Sequence, residues 1–137
     1  MAPAFGRTAI FARGEARVDV VPPKTVVSRV TGYIDVPMMR HLLAQFEEWR
    51  STSGDDLISF HDMEEVTDYD PEARLLLTSW LRQHRRQFRV AHVLVRSRAL
   101  TWGFRLLGTL TDDLIVAHDG RESFEKASPV ATGVRSP

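Results

Sequence analysis

Residues 57–74 decide the fold of this chain, and they read LISFHDMEEVTDYDPEAR. The mainly apolar residues 57–61 predict a buried strand. Acidic residues dominate 62–70 and predict a loop, and the Asp-Pro-Glu sequence at 70–72 is typical of a helix start, because proline suits the first turn. In open α/β sheets, partners and ligands gather where loops leave the carboxyl ends of strands. This stretch is therefore the expected working surface of the molecule.

Strands and helices alternate outward from this stretch. Further strands are predicted at 8–12, 16–21, 25–34, 90–95 and 113–118. Helices are predicted to begin at Asp35, at Asp70, at Ser97 or Arg98, and at Arg121. Asp35 and Asp70 are predicted to cap their helices, since a carboxylate can accept from the free N–H groups of the first turn. The order predicts an α/β fold with a mixed open β-sheet of about 4–6 strands covered by about four helices.

Length and composition indicate one globular unit. The chain has 137 residues, no cysteine, and 18 basic against 18 acidic side chains. We expect a flexible N-terminus at 1–6, a single domain at 7–127 and a disordered tail at 128–137. The balanced charge disfavours nucleic acid as a partner. No stretch reaches the roughly 20 apolar residues of a membrane span, so we expect a cytoplasmic protein.

The sequence resembles the STAS domains, and among them the SpoIIAA-like branch that includes the bacterial anti-sigma-factor antagonists. The resemblance is carried by four short features in the family order, which together cover about residues 25–127. They are Thr31-Gly32-Tyr33-Ile34-Asp35 before the first helix, Asp62-Met63-Glu64-Glu65-Val66 after the next strand, Asp70 at the second helix, and the strand from Val90 to Val95.

The resemblance implies a non-enzymatic regulatory domain that binds a protein partner, such as a kinase-like or anti-sigma-like regulator. Regulated members of the family present a serine at the start of the second helix, and phosphorylation there adds negative charge and changes partner binding. In this chain Pro71 occupies that position, so we expect the phosphosite to be degenerate and the switch to be missing. Thr67 is the nearest hydroxyl.

The predicted partner surface lies in the same stretch. We expect partner contacts from residues of the 62–74 segment, namely Met63, Glu64, Glu65, Thr67, Tyr69 and Arg74. Its carboxylates could also ligate a divalent cation, but their spacing lacks the EF-hand pattern. No nucleophile motif or phosphate-binding loop is present. We therefore expect no metal, no cofactor and no enzymatic activity.

Two other functions remain open from the sequence. The apolar segment 102–107 could border a pocket, and the SpoIIAA-like branch is similar in fold to lipid-carrying Sec14-type domains, so a small apolar-ligand or lipid carrier is one alternative. A homo-oligomeric scaffold is the other, because small α/β domains often self-associate.

Overall fold

The structure, a computed structural model, describes residues 5–128. The rest of the predicted flexible N-terminus and of the predicted disordered tail lies outside the described residues. At the N-terminal side, Phe5 packs against the core and the Gly6 N–H donates to the Val18 carbonyl at 2.8 Å. At the other side, Ser128 is buried. Residues 5, 6 and 128 therefore contribute packing or hydrogen bonds to the part of the chain that the structure describes.

Strands and helices alternate as the sequence predicts. The strands are β1 (Ala9–Ile10), β2 (Gly14–Val21), β3 (Thr25–Ile34), β4 (Leu57–Tyr69), β5 (Phe88–Leu94) and β6 (Ile115–His118). The helices are α1 (Val36–Ser53), α2 (Pro71–His84), α3 (Arg98–Leu110) and α4 (Arg121–Ala127). A short 3-10 turn, Arg85–Gln87, leads from α2 into β5. The predicted α/β class and mixed sheet are confirmed.

The strands lie in the sheet in their chain order, from β1 to β6. The pairs β1–β2 and β2–β3 are antiparallel, and the pairs from β3 through β6 are parallel. Each parallel pair needs a crossover, which α1, α2 and α3 provide in turn. Because such crossovers are right-handed and all run in the same direction, the three helices cover one face of the sheet.

Side-chain packing agrees with this arrangement. Val26 and Val30 of β3 belong to the main core with residues of α1, α2 and α3, whereas Phe124 of α4 packs on the opposite face with Phe60 and Leu94. Neighbouring residues of a strand point to opposite faces, so one strand supplies both clusters. The sheet is thus covered on one face by three helices and partly covered on the other by α4.

Helices α1 and α2 are packed to different depths. Six residues of α1 are buried, among them Met38, Phe46 and Trp49, whereas only Ala73 and Leu81 of α2 are buried. Helix α2 therefore lies less deeply on the sheet, and a narrow apolar space remains beneath it.

Strand β4 departs most from the sequence prediction, because it continues through residues 62–69 instead of giving way to a loop. Its second half pairs with β3, with Thr31 opposite Glu65 and Ile34 opposite Tyr69, and the register shifts before Thr31 and again after Gly32. Loop prediction from acidic composition was wrong here. The carboxylates of Asp62, Glu64 and Glu65 pair with arginines, so they are compatible with a strand.

The two predicted caps have different outcomes. Asp35 caps α1 as predicted, since its carboxylate accepts from the Met38 N–H at 2.9 Å. Asp70 occupies the corresponding position of α2, but its side chain makes no bond to the first turn. It accepts the Tyr33 hydroxyl instead. Parallel pairing of β3 and β4 brings this hydroxyl to the carboxylate, and a bond to a charged acceptor is a strong one.

Candidate interaction surface at the end of strand β4

The second half of β4 has a buried side and an exposed side. Met63 and Val66 point into the core, with 8% and 5% of their surface exposed. The prediction that Met63 contacts a partner therefore needs correction. Two glutamates separate these apolar residues, and the irregular register in this part of the strand returns Val66 to the core side.

Glu64 is held by arginines from two other elements. Arg121 of α4 donates to Glu64 and to Asp62, both at 2.8 Å, and Arg96 lies 3.7 Å from Glu64. The hydrogen bonds that it donates to Asp62 and Glu64 raise the pKa of the Arg121 guanidinium. This network ties α4 to the sheet, so Glu64 has a structural role whether or not a partner also contacts it.

The other four predicted contact residues are also fully or partly accessible at the surface. Glu65 is exposed and lies 3.6 Å from Arg29 on the neighbouring strand. Thr67 and Arg74 are exposed, and Tyr69 is half-buried. Arg74 and Tyr69 also line a small apolar opening between α2 and α3. The structure thus places these side chains at the end of β4 and in the first turn of α2.

Tyr33 and Asp70 fix the start of α2 to the sheet. The Asp70 N–H donates to the Ile34 carbonyl at 2.9 Å, and the Asp70 carboxylate accepts the Tyr33 hydroxyl. This hydrogen bond raises the pKa of the Tyr33 phenol. The Arg13 guanidinium lies over the Tyr33 ring, 3.7 Å from its centroid. Pro71 follows as the exposed first residue of α2, so the position after Asp70 offers no hydroxyl.

Sequence reasoning missed Tyr33, Arg13 and Arg121 as parts of this surface. Tyr33 lies inside a predicted strand, and nothing in the sequence around it indicates that its hydroxyl bonds to Asp70. The two arginines come from distant segments, and only the folded sheet brings them close. No local pattern could have identified these residues.

A narrow apolar cavity of about 60 Å³ lies beneath α2, lined by sheet residues and by Phe46, Leu77 and Trp80. Its polar groups include His61, whose Nδ1 lies 2.7 Å from the Ser28 hydroxyl. Burial lowers the pKa of His61 to about 4, so the ring is neutral at physiological pH. Cavities that bind benzene measure about 150 Å³. A lipid chain would therefore require α2 to move away from the sheet.

A chain of hydrogen bonds lies on the opposite face of the sheet. The Ser123 hydroxyl is 2.6 Å from His118 Nδ1, and His118 Nε2 is 2.9 Å from His92 Nδ1. The Phe60 ring stacks on His92 with centroids 4.9 Å apart. Burial lowers the pKa of both histidines. The chain joins β5, β6 and α4, which fits a structural role for the two neutral rings.

Residues 5–128 contain no cluster of three or more histidine, aspartate or glutamate side chains arranged to hold a metal ion. Within the same range, no helix is long and apolar enough to cross a membrane. A cation site on the carboxylates of 62–74 thus gains no geometric support from the described residues.

Comparison with known proteins identifies the fold. No protein-family model and no curated protein matches the sequence. Among solved structures, an uncharacterized DUF3478-family protein from Shewanella loihica PV-4 with a SpoIIAA-like fold superposes with a TM-score of 0.66 and 9% identity, over 89% of this chain and 98% of that one. The anti-sigma factor antagonist SpoIIAA in its unphosphorylated form superposes with a TM-score of 0.54 and 14% identity, over 82% and 95% of the chains. At these identities the likeness shows the fold, which is SpoIIAA-like, as the sequence resemblance implies.

Proposed function

Because the chain has the SpoIIAA-like fold, we propose that it is a non-catalytic, STAS-like regulatory domain of the cytoplasm that binds a protein partner. The contact surface comprises Glu65, Thr67, Tyr69 and Arg74, with Glu64 at its border. One neighbour in fold is an anti-sigma factor antagonist. Its regulatory class supports the same class of function for this chain.

The observation that carries the proposal is the construction of this surface. Exposed side chains lie at the end of β4 and the start of α2, and the bond between Tyr33 and Asp70 fixes the junction of these two elements to β3. The backbone beneath these side chains is already ordered, so a partner that binds there does not have to order a mobile loop, which lowers the entropic cost of binding. Tyr69 and Arg74 also belong to residue types that dominate binding energy in protein interfaces.

The proposal includes loss of the serine switch, which rests on Pro71. Proline has no hydroxyl, so phosphorylation at the first position of α2 is chemically impossible. Intact-mass measurement of the protein isolated from its host is expected to show the unmodified mass under conditions in which the host phosphorylates other domains of this fold. A stoichiometric phosphate on Thr67 would contradict this part of the proposal.

Partner binding is tested by affinity capture from the native host with a variant that carries Glu65→Arg and Tyr69→Ala. We expect the captured partner to be lost with this variant and retained with Arg17→Ala, a control that removes an exposed side chain from β2. Both substitutions must leave the thermal unfolding temperature close to that of the native chain. Equal recovery of the partner by the native chain, the double variant and the control would show that this surface does not bind the partner.

A further inference from the structure

The outward side of α3 carries an apolar stripe without a partner in the described chain. Trp102 is 74% exposed, and Leu106 and Leu110 are each 53% exposed. Residues four apart lie on the same side of a helix, so these three side chains form one row. The inward side of the same helix is anchored in the core by Leu100 and Leu107. The stripe is therefore held rigidly at the surface.

Arginines border the stripe. Helix α3 contains no acidic residue, and at 100° per residue Arg98 and Arg105 lie along one flank of the stripe. On the other flank, Arg74 of α2 lines the same small opening as Gly103. Within residues 5–128, none of these three arginines has a carboxylate within ion-pairing distance. Arg121, by contrast, pairs with three carboxylates. The positive charge around the stripe is thus not neutralised by the protein itself.

We propose that α3 is an interfacial helix that rests Trp102, Leu106 and Leu110 on an anionic phospholipid surface. Tryptophan and leucine on one side of a helix, bordered by arginine, suit the boundary between acyl chains and headgroups, while the arginines attract anionic lipid. Asp112 and Asp113 follow the helix, so the Trp102 end enters the headgroup layer more deeply than the Leu110 end. The proposal shares only Arg74 with the partner surface at the end of β4, and its test uses none of that surface's residues.

The size of the stripe favours a membrane over a second copy of the chain. Its exposed apolar area is roughly 350 Å², judged from the exposed fractions and the usual areas of these side chains. A stable protein interface covers about 800 Å² on each partner. Peripheral membrane binding does not require so large an area, because burial of a short apolar stripe and attraction of basic residues to anionic lipid both contribute to it.

The test is co-sedimentation of the full chain with vesicles of phosphatidylcholine and phosphatidylglycerol in equal parts, compared with vesicles of phosphatidylcholine alone. We expect binding to the mixed vesicles, a shift of the tryptophan emission to shorter wavelength, and weaker binding at high salt. The double variant Trp102→Ser, Leu106→Ser and the double variant Arg98→Glu, Arg105→Glu should each bind at least tenfold more weakly. The control Ile10→Ser alters a 79% exposed side chain on β1 and should bind like the native chain.

Three results would overturn the proposal. The first is absence of binding to the mixed vesicles, and the second is equal binding by the native chain and the Trp102, Leu106 variant. The third comes from sedimentation velocity: a native dimer that this variant converts to a monomer would identify the stripe as a self-association surface instead. The substituted side chains are exposed, so the variants should fold, and circular dichroism checks this before the vesicles are used.

Discussion

Acidification should destabilise the protein through His61, and the size of the effect follows from its buried position. Burial lowers the pKa of His61 from an ordinary 6.5 to about 4. In the unfolded chain the ring takes up a proton as the pH falls through 6.5, whereas in the folded protein it stays neutral down to about pH 4. The unfolded state therefore binds more protons in this window, and stability decreases as the pH falls.

This lowering of the pKa from 6.5 to about 4 corresponds to a decrease of about 3 kcal/mol in the unfolding free energy between neutral pH and pH 4. The contribution is fully present above about pH 7 and is lost progressively below 6.5. We propose to measure urea unfolding of the native chain and of His61→Gln by tryptophan fluorescence between about pH 7 and pH 4.5. Over that range the unfolding free energy of the native chain should decrease by about 2–3 kcal/mol more than that of the variant.

The comparison cancels contributions from His84, His92 and His118, whose pKa values are also lowered by burial and which are present in both proteins. The variant itself is expected to be less stable at every pH, because it disturbs the bond to Ser28, so only the change with pH is informative. A stability difference that stays constant from pH 7 to pH 4.5 would refute the reasoning. Imidazole proton resonances that report a charged His61 at pH 5.5 would refute it too.

Three further substitutions test the packing that supports the surface. Gln45→Met should raise the unfolding free energy by about 1–2 kcal/mol, because the amide oxygen and nitrogen of Gln45 are buried without a partner among the described residues. Urea unfolding measures this change, and a loss of stability would mean that the amide is hydrogen-bonded. Asp35→Ala should lower the unfolding free energy by about 1 kcal/mol through loss of the cap of α1, and an unchanged urea midpoint would contradict the cap. Arg121→Ala should speed amide hydrogen exchange in α4, because its bonds to β4 are lost, whereas Lys126→Ala, which removes only an exposed pair with Glu122, should not. Equal exchange in the two variants would show that the Arg121 network does not hold α4.

The fold could be predicted from the sequence where local preferences and burial agree. The β-branched stretch Thr25–Ile34 forms β3, and Asp35 with Pro37 begins α1 where the capping pattern places it. The apolar stripe of α1 predicts one buried face, and the structure buries Met38, Leu42 and Phe46 there. In these segments every local signal points to the same structure, so prediction succeeds.

The predictions failed where a partner from a distant segment decides the outcome. Three acidic residues of β4 pair with Arg121 or Arg29 in the folded sheet, and neither arginine is near them in sequence. Asp70 has the sequence pattern of a cap, yet Tyr33 takes its carboxylate. Met63 continues the inward alternation of Ser59 and His61, which a loop prediction hides, whereas Val66 returns to the core through the irregular register of β4 against β3, which sequence periodicity does not reveal.

The central claim is that a protein partner docks on the end of β4 and the start of α2. Amide chemical shifts of the isotope-labelled chain, recorded with and without the partner captured from the host, test it residue by residue. We predict that the largest changes lie at Glu65, Thr67, Tyr69 and Arg74, with little change in β1 and β2. Changes that cluster elsewhere and leave residues 65–74 unaffected would contradict the claim.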